Sequence, residues 1–290
     1  MRNYSSGYRM ARISLSMIIG VGIAALLCLS CSCQSRTDHR VLFLGNSAYS
    51  SYGGSQAPLE GYCSAAGFRC EALNNYDVFG TTREGRIDQF WPGLAQDRRV
   101  TDLLSRESFE YVVLWTRPTS VIDSNWVDTV GGLQTVVPRI ASSGATTVLA
   151  ASYIPPRVQQ DFHGSITVDL VEDRFARLLR EVCELQVNGD SPSVLYVPLA
   201  RFWADGVARF GEEAWWADSV HGSRLAHYAT GCLWFTFLFE RDPRGISFSR
   251  LPEYPGLDES KRNMVVPTET VTWIQNRAWE LYQTHRYRAP

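Results

Sequence analysis

Short apolar runs alternate with segments of helical periodicity from Arg40 to the end of the chain. The apolar runs are bounded by polar or glycine-rich residues, which is typical of buried strands. The predicted strands are RVLFLG (residues 40–45), FRCEALNN (68–75), YVVLW (111–115), TTVLAASY (146–153) and SVLYVPL (193–199). Strands that alternate with helices indicate right-handed βαβ units and a parallel sheet covered on both faces.

The segments between the strands carry the helical patterns. Residues 167–186 repeat apolar side chains at helical spacing, and residues 223–240 are apolar nearly throughout. Further helices are predicted over residues 54–67, 81–108, 124–144 and 271–286. The first of these ends at Gly67 and the third at Gly144. Interruptions are expected at Pro92-Gly93 in the second and within the third. The segment 246–267 shows no regular pattern. These elements predict a three-layer α/β/α sandwich with a central, mainly parallel five-stranded sheet, in one domain spanning residues 40–290.

The first part of the chain has the pattern of an export signal. Arg2, Arg9 and Arg12 precede an apolar run over residues 13–29, and small residues follow. CLSC at residues 28–31 resembles a bacterial lipoprotein box, in which Cys31 would be lipidated after cleavage. Secretion without a lipid and an uncleaved anchor remain open. Residues 1–39 are therefore expected to be a signal and tether, with the domain exported to the cell envelope on the periplasmic side, or secreted.

Composition narrows the function classes. The chain is 45% hydrophobic and 20% charged, as in globular domains, and its formal net charge of −2 argues against a nucleic-acid partner. Of seven cysteines, Cys63 and Cys70 are near enough in sequence to bridge, although sequence alone does not set the pairing. Cys183 and Cys232 are expected to be buried thiols. No Cys/His cluster has zinc spacing, so neither a metal nor an organic cofactor is predicted.

Polar residues with catalytic potential follow the first and the last predicted strands. Ser47 comes directly after strand one, while Asp218 and His221 follow strand five and precede the apolar helix. Ligands of open parallel sheets bind beyond the carboxyl ends of the strands, so we expect these segments to meet there. Ser47 would be the nucleophile, His221 its base, and Asp218 the carboxylate that orients the base. His227, one turn beyond His221, is expected to pack or to cap.

The two segments also resemble a known family. Gly45-Asn46-Ser47 after a strand and Asp218-Ser219-Val220-His221 before the final helix are similar to the first and last blocks of the SGNH, or GDSL-like, hydrolases. The resemblance extends in order and spacing over most of the chain after the signal, but it is specific only at these two blocks. It implies a flavodoxin-like hydrolase fold, a Ser47 nucleophile whose own N–H helps to hold the oxyanion, and Asp218 and His221 as its triad partners.

The middle blocks of that family match less well. The family's oxyanion-binding glycine after the second strand would correspond to Gly80, with Gly85 as the alternative. The family's asparagine after the third strand is absent, and Trp115, Thr116 or Arg117 takes its place. We expect the Thr116 hydroxyl or the Arg117 guanidinium to substitute as donor.

Substrate-binding roles are expected for Asn46, Trp115 and Arg117, although Trp115 and other rings near the site could equally fill the core. The resulting hypothesis is an exported serine esterase that hydrolyses carboxylic esters, such as acetyl groups on glycans, through an acyl-serine intermediate. Two alternatives stay open. One is a non-catalytic glycan-binding or assembly protein with the same fold, and the other is an acyltransferase acting on polysaccharide.

Overall fold

The computed structural model describes residues 39–45, 54–79, 91–116, 126–151, 153, 160, 166–185, 187, 189–251 and 264–285. Five strands form one sheet: β1 (His39–Gly45), β2 (Cys70–Asn74), β3 (Tyr111–Thr116), β4 (Thr146–Ala151) and β5 (Val194–Tyr196). All neighbouring strands are parallel, in the order β2-β1-β3-β4-β5. This is the doubly wound order of flavodoxin-like sheets, and it confirms the predicted parallel five-stranded sheet.

The helices of the described residues connect these strands. Before β3 they are α1 (Gln56–Ala65), α2 (Asn75–Phe79), α3 (Trp91–Gln96) and α4 (Arg98–Arg106). Between β3 and β5 they are α5 (Trp126–Ser142) and α6 (Val168–Cys183). After β5 they are α7 (Leu199–Phe210), α8 (Glu212–Trp215), α9 (Arg224–Phe239) and α10 (Thr268–Thr284).

Alternation along the strands divides the interior into two cores. Val41 and Phe43 of β1 point to one face of the sheet, and Leu42 and Leu44 point to the other. The first core packs under α1, α7, α9 and α10, whereas the second packs under α3, α4, α5 and α6. Because a parallel sheet buries both faces, the strands are apolar on both sides. The predicted three-layer α/β/α sandwich is confirmed.

Two expected helix interruptions differ from the structure, and three helices, α2, α7 and α8, were not predicted. Pro92 and Gly93 lie within α3, and the helix breaks at Asp97 instead, whose carboxylate accepts from the Arg99 N–H and caps α4. Proline is tolerated in the first turn, where its missing N–H has no intrahelical partner. The expected interruption of α5 is absent, since the helix runs through Pro138. The pattern missed α7, which follows β5 directly.

Helix α9 is buried along nearly its whole length and packs closely on α1. Ser223 is its N-cap and accepts a hydrogen bond from the Ala226 N–H at 3.2 Å. Gly231 allows the close approach, because a Cβ there would lie 2.8 Å from the Leu59 backbone nitrogen and also clash with Pro58. Cys232, on the same helix, is a buried free thiol, and burial raises its pKa to about 12.

A half-buried carboxyl group lies beside the end of β5. The Tyr196 hydroxyl donates to Glu172 Oε1 at 2.9 Å, and both residues line a cleft of about 270 Å³ with Asp169, Arg201 and His285. Burial raises the pKa of Glu172 to about 7, although the Tyr196 hydrogen bond and Arg201 act against the shift. Glu172 therefore changes charge near neutral pH.

Other features of the fold bear on the predicted tether and anchor. β1 begins at His39, one residue before the predicted domain start. In the described part of the chain, no helix combines the length and the apolar character that crossing a membrane requires. The apolar run at residues 13–29 lies outside the described residues.

We predict that Gly231→Ala destabilises the protein by about 1–3 kcal/mol, because the added methyl group must push α9 away from α1. Gly131→Ala is the matched control, since Gly131 is an exposed helical position of α5 with open space around it. The control should be stabilised by about 0.5–1 kcal/mol. Urea unfolding of both variants measures the difference, and equal effects would contradict the predicted contact.

We predict that Glu172→Gln removes a pH-dependent destabilisation. The carboxyl titrates near 4.5 in the unfolded chain and near 7 when folded, so the fold favours its protonated form. The wild type should therefore lose on the order of 3 kcal/mol relative to the variant as pH rises from about 4.5 to 7, with no further change above. Chemical unfolding across this range measures the difference. Glu213→Gln, at an exposed site, controls for net charge, and a flat Glu172→Gln difference curve would refute the prediction.

Candidate active site

The loop between α8 and α9 is a tight, backbone-bonded turn. Trp216 and Gly222 form an antiparallel bridge, and the Ala217 N–H donates to the His221 carbonyl at 2.9 Å. The Ser223 N–H donates to the Trp215 carbonyl at 2.9 Å, and this bond closes the base of the turn where α9 begins. The loop of residues 216–223, here called the Asp-His loop, is therefore fixed at both ends by regular structure.

Within the Asp-His loop, Asp218 holds the His221 ring directly. Asp218 Oδ2 lies 2.8 Å from His221 Nδ1, while Oδ1 accepts from the backbone N–H groups of Val220 and His221, each at 2.8 Å. The carboxylate is thus fixed by its own turn before it orients the ring. Their side chains are 41% and 26% exposed, so solvent and small molecules reach the pair. The sequence prediction that Asp-x-x-His joins these two groups locally agrees with this geometry.

The same contacts determine the charge of Asp218. Partial burial would raise its pKa, but hydrogen bonds from the His221 ring and from the N–H groups of Val220 and His221 outweigh burial and lower it. Asp218 is therefore ionised at neutral pH. An ionised carboxylate accepts the Nδ1 proton of His221, which leaves Nε2 as the basic nitrogen.

An aromatic column places the Asp-His loop at the carboxyl edge of the sheet. Trp115, next to the end of β3, packs edge-on against Trp203 at 6.4 Å between ring centroids. The Trp203 ring in turn contacts the loop, because a Cβ on Gly222 would lie 2.6 Å from its Cη2. Gly45, the last residue of β1, lies against Trp115 on the other side. Trp115 and Trp203 thus connect the end of β1 with the loop that carries His221.

Tyr153 and Trp216 form a second contact between the sheet edge and this loop. Tyr153 follows the end of β4, and its ring centroid lies 6.4 Å from that of Trp216. Tyr153 is half-buried and Trp216 is buried. Sequence reasoning did not select Tyr153, because a single tyrosine after a strand carries no distinctive pattern.

A buried Ser-His contact ties the start of α1 to α9. Ser55 Oγ lies 3.2 Å from His227 Nδ1, and both residues are buried. Burial lowers the pKa of His227 to about 3, and the nearby His221 and Arg224 add to the shift. His227 is therefore neutral at physiological pH and packs in the core, as expected from the sequence. Sequence reasoning missed Ser55, which comes shortly after the predicted nucleophile in the chain.

The remaining predicted site residues fall into two groups. Asn46, Ser47, Gly80 and Arg117 lie outside the described residues, as do the alternative Gly85 and the predicted lipidation site Cys31. The elements that lead to Ser47 and Gly80 are described and adjacent. Asn75, at the start of α2, accepts a hydrogen bond from the Gly45 N–H through Oδ1 at 3.4 Å. The end of β1 and the start of α2 are thus in contact at the carboxyl edge of the sheet.

Trp115 and Thr116 are described and buried. Thr116 ends β3 and is paired in register with Ala151, so it lies at the carboxyl edge, as an oxyanion donor requires. Trp115 is 1% exposed and packs on Trp203 and Trp234. These contacts favour the core-filling interpretation of Trp115 over direct contact with substrate. Within the described ranges, no three His, Cys, Asp or Glu side chains are grouped to hold a metal ion.

Comparison with one solved structure supports the architecture, and two further structures align less well. A DUF4886 family protein from Bacteroides uniformis aligns with a TM-score of 0.54 at 13% identity, over 85% of this chain and 95% of that chain. A Streptococcus pneumoniae protein, provisionally described as a platelet activating factor, aligns with a TM-score of 0.45 at 12% identity, over 78% and 100%. The YXIM protein of Bacillus subtilis aligns with a TM-score of 0.46 at 14% sequence identity, over 73% of this chain and 58% of that chain.

At these identities the likeness concerns the fold alone. No family model matches the chain, and no curated protein matches it significantly in sequence.

We predict that Asp218→Asn reverses the His221 tautomer. The introduced amide can still accept the turn hydrogen bonds through its oxygen, but its NH₂ group would donate to Nδ1 and leave the proton on Nε2. Long-range proton–nitrogen NMR of the imidazole should show the Nδ1–H form in the wild type and the Nε2–H form in the variant. Asp242→Asn is the control, because Asp242 makes a similar turn bond to the Arg244 N–H. An unchanged tautomer in Asp218→Asn would contradict the orienting role of Asp218.

Proposed function

We propose that this protein is a serine hydrolase of the SGNH type that cleaves carboxylic esters. The observation that carries the proposal is the Asp218–His221 contact of 2.8 Å, within a loop that packs at the carboxyl edge of the sheet. Ser47 comes two residues after Gly45, the last residue of β1, and we expect it at the same edge. A hydroxyl residue, an imidazole and a carboxylate in this order are the parts that acyl transfer needs.

In the proposed mechanism, His221 Nε2 takes the Ser47 proton as the serine oxygen attacks the ester carbonyl. The proton then passes to the leaving alcohol, and an acyl-Ser47 intermediate remains. His221 next removes a proton from water, which attacks the acyl group. The bond to Ser47 then breaks, the His221 proton returns to the Ser47 oxygen, and the acid is released. Asp218 stays ionised throughout and stabilises the imidazolium that forms in each half-reaction.

Oxyanion stabilisation is assigned to the backbone N–H groups of Ser47 and Gly80. The Thr116 hydroxyl or the Arg117 guanidinium would supply a further donor, in the place where SGNH enzymes have asparagine. Removing one such donor typically lowers the rate about 10²–10³-fold, so the identity of this group matters for activity. Thr116 ends β3 at the edge where the Asp-His loop lies, but it is completely buried, so its hydroxyl would have to become accessible in order to act as this donor.

The proposed substrate is an ester on a carbohydrate, such as a glycan acetyl group. This part of the proposal rests on the predicted export signal and on the substrates that are usual for the SGNH hydrolases, which the sequence resembles. We also propose a location for the domain. It would lie in the cell envelope on the periplasmic side, held by a lipid on Cys31, or it would be secreted. Asn46, Arg117 and, through packing, Trp115 would shape the substrate side of the site.

A second candidate function is supported by Trp115. This bulky, buried side chain lies where the family's asparagine block would begin, so the site could lack a full oxyanion hole. The protein would then bind or help to assemble glycans without cleaving them. A polysaccharide acyltransferase would use the same three residues, with a sugar hydroxyl in place of water.

We predict that a fluorophosphonate probe labels Ser47 of the folded protein. Ser47→Ala should abolish labelling, and Asp218→Asn should slow it by about 10⁴-fold because the basic nitrogen is misplaced. Ser105→Ala, an exposed serine on α4, and Asp242→Asn should label as the wild type does. Gel fluorescence and peptide mapping measure the label. Absence of labelling in folded wild type would favour the binding protein, and product analysis with a glycan acceptor would distinguish hydrolysis from transfer.

A further inference from the structure

Two cysteines meet where α1 ends and β2 begins, apart from the candidate active site. Cys63 belongs to the last turn of α1 and is fully buried, while Cys70 is the first residue of β2 and half-buried. Cys70 packs against the buried apolar cluster that contains Cys63, and no disulfide joins the two residues. Cysteines form a disulfide readily only when the backbone already brings their side chains together.

The backbone around the pair is fixed by hydrogen bonds. The Phe68 N–H donates to the Cys63 carbonyl at 3.1 Å, and Gly67 has a φ of +87°, which allows the chain to reverse after the helix. On the far side, Glu60 Oε1 accepts from the Ala72 N–H at 2.9 Å and attaches α1 to the strand. Because the turn is held on both sides of the pair, the sulfur atoms can approach without rearrangement of the fold.

We propose that Cys63 and Cys70 form a disulfide in an oxidising environment and that this bond fastens α1 to the edge strand β2. The proposal does not depend on the hydrolase function, since neither residue belongs to the candidate active site. It resolves the cysteine pairing that the sequence left open. A second copy of the chain is not needed, because both partners lie in the same turn.

The oxidation is a thiol–disulfide exchange with a small disulfide such as glutathione disulfide. The half-buried Cys70, as thiolate, attacks one sulfur of the oxidant, forms a mixed disulfide and releases one glutathione thiolate. Cys63 then loses its proton to solvent and attacks the Cys70 sulfur, which releases the second glutathione. The protein thus gives up two electrons and two protons, and glutathione disulfide becomes two molecules of glutathione.

The surroundings make the second step slow and the product durable. Burial raises the pKa of the Cys63 thiol, the contact with Cys70 and the nearby Glu60 add to the effect, and Arg241 opposes it. The Arg241 guanidinium lies 4.6 Å from the centroid of the Phe68 ring, beside the same turn. External thiols should reduce the bond slowly once it has formed, because the Cys63 sulfur is buried and attack on the Cys70 sulfur would release a Cys63 thiolate that burial disfavours.

Tryptic mapping of the full chain tests the pairing. Arg69 lies between the two cysteines, so trypsin separates Cys63, in peptide 41–69, from Cys70, in peptide 70–83, and each peptide contains a single cysteine. After incubation with glutathione disulfide and alkylation of free thiols, mass spectrometry should find these two peptides joined. Reduction should separate them. Finding both peptides alkylated, or joined to peptides with other cysteines, would overturn the proposal.

Two variants trap the intermediate and check its order. Cys63→Ser should stop with one glutathione on Cys70, whereas Cys70→Ser should leave the buried Cys63 unmodified on the same timescale. Cys232→Ser is the control, because Cys232 is also buried but lies on α9. In this control, the bridge between peptides 41–69 and 70–83 should form as in the wild type.

The bond should also raise the stability of the wild type. Closing the short loop of residues 63–70 restricts the unfolded chain, so oxidation should increase the Tm by about 5 °C. The increase should disappear in both Cys63→Ser and Cys70→Ser and remain in Cys232→Ser. An oxidised wild type with the joined peptides but an unchanged Tm would show that the bond forms without fastening α1 to β2.

Discussion

The contact of the Trp203 ring with Gly222 determines where the candidate active site lies. Trp203 is completely buried, its indole N–H donates to Thr230 Oγ1 at 2.8 Å, and its ring fills the space between Trp115 and the Asp-His loop. A side chain at Gly222 would displace either the ring or the loop. The local geometry of Asp218 and His221 would survive such a displacement, but their position at the ends of the strands would not. The proposed chemistry therefore depends on packing below the site as much as on the residues in it.

Some contacts of the site join residues that are close in sequence, and others join residues that are far apart in sequence. The Asp218–His221 pair is local, since an aspartate three residues before a histidine can hold both the turn and the ring. This part could be predicted from sequence without knowledge of the fold. Tyr153 and Ser55 reach their partners Trp216 and His227 only through the arrangement of the sheet and α9. No short sequence pattern predicts such contacts, because a single tyrosine or serine is compatible with many structural environments.

The same difference in range explains which elements of the fold could be predicted. Four of the five strands, β1, β3, β4 and β5, are short, apolar and largely buried on both faces, so their pattern is distinctive and their existence was predictable. The edge strand β2 is less buried, since Glu71 is exposed. Helix α7 was missed because it begins shortly after β5 ends, where apolar residues continue without a polar break. The helix boundary at Asp97 was also misjudged, because proline and glycine indicate a break by composition whereas the actual boundary is set by a capping carboxylate. Where packing or a single hydrogen bond decides, local propensity is a weak guide.

The order of elements along the chain has a consequence for folding during synthesis. The core under α1, α7, α9 and α10 includes residues from β1 as well as Ile274 and Leu281 of the last helix. While the ribosome is still making α10, the apolar side chains of this core that α10 covers remain exposed. The opposite layer, formed by α3 to α6, is complete much earlier in the chain. This protein therefore acquires its two faces at different times, and the face that supports the Asp-His loop is the later one.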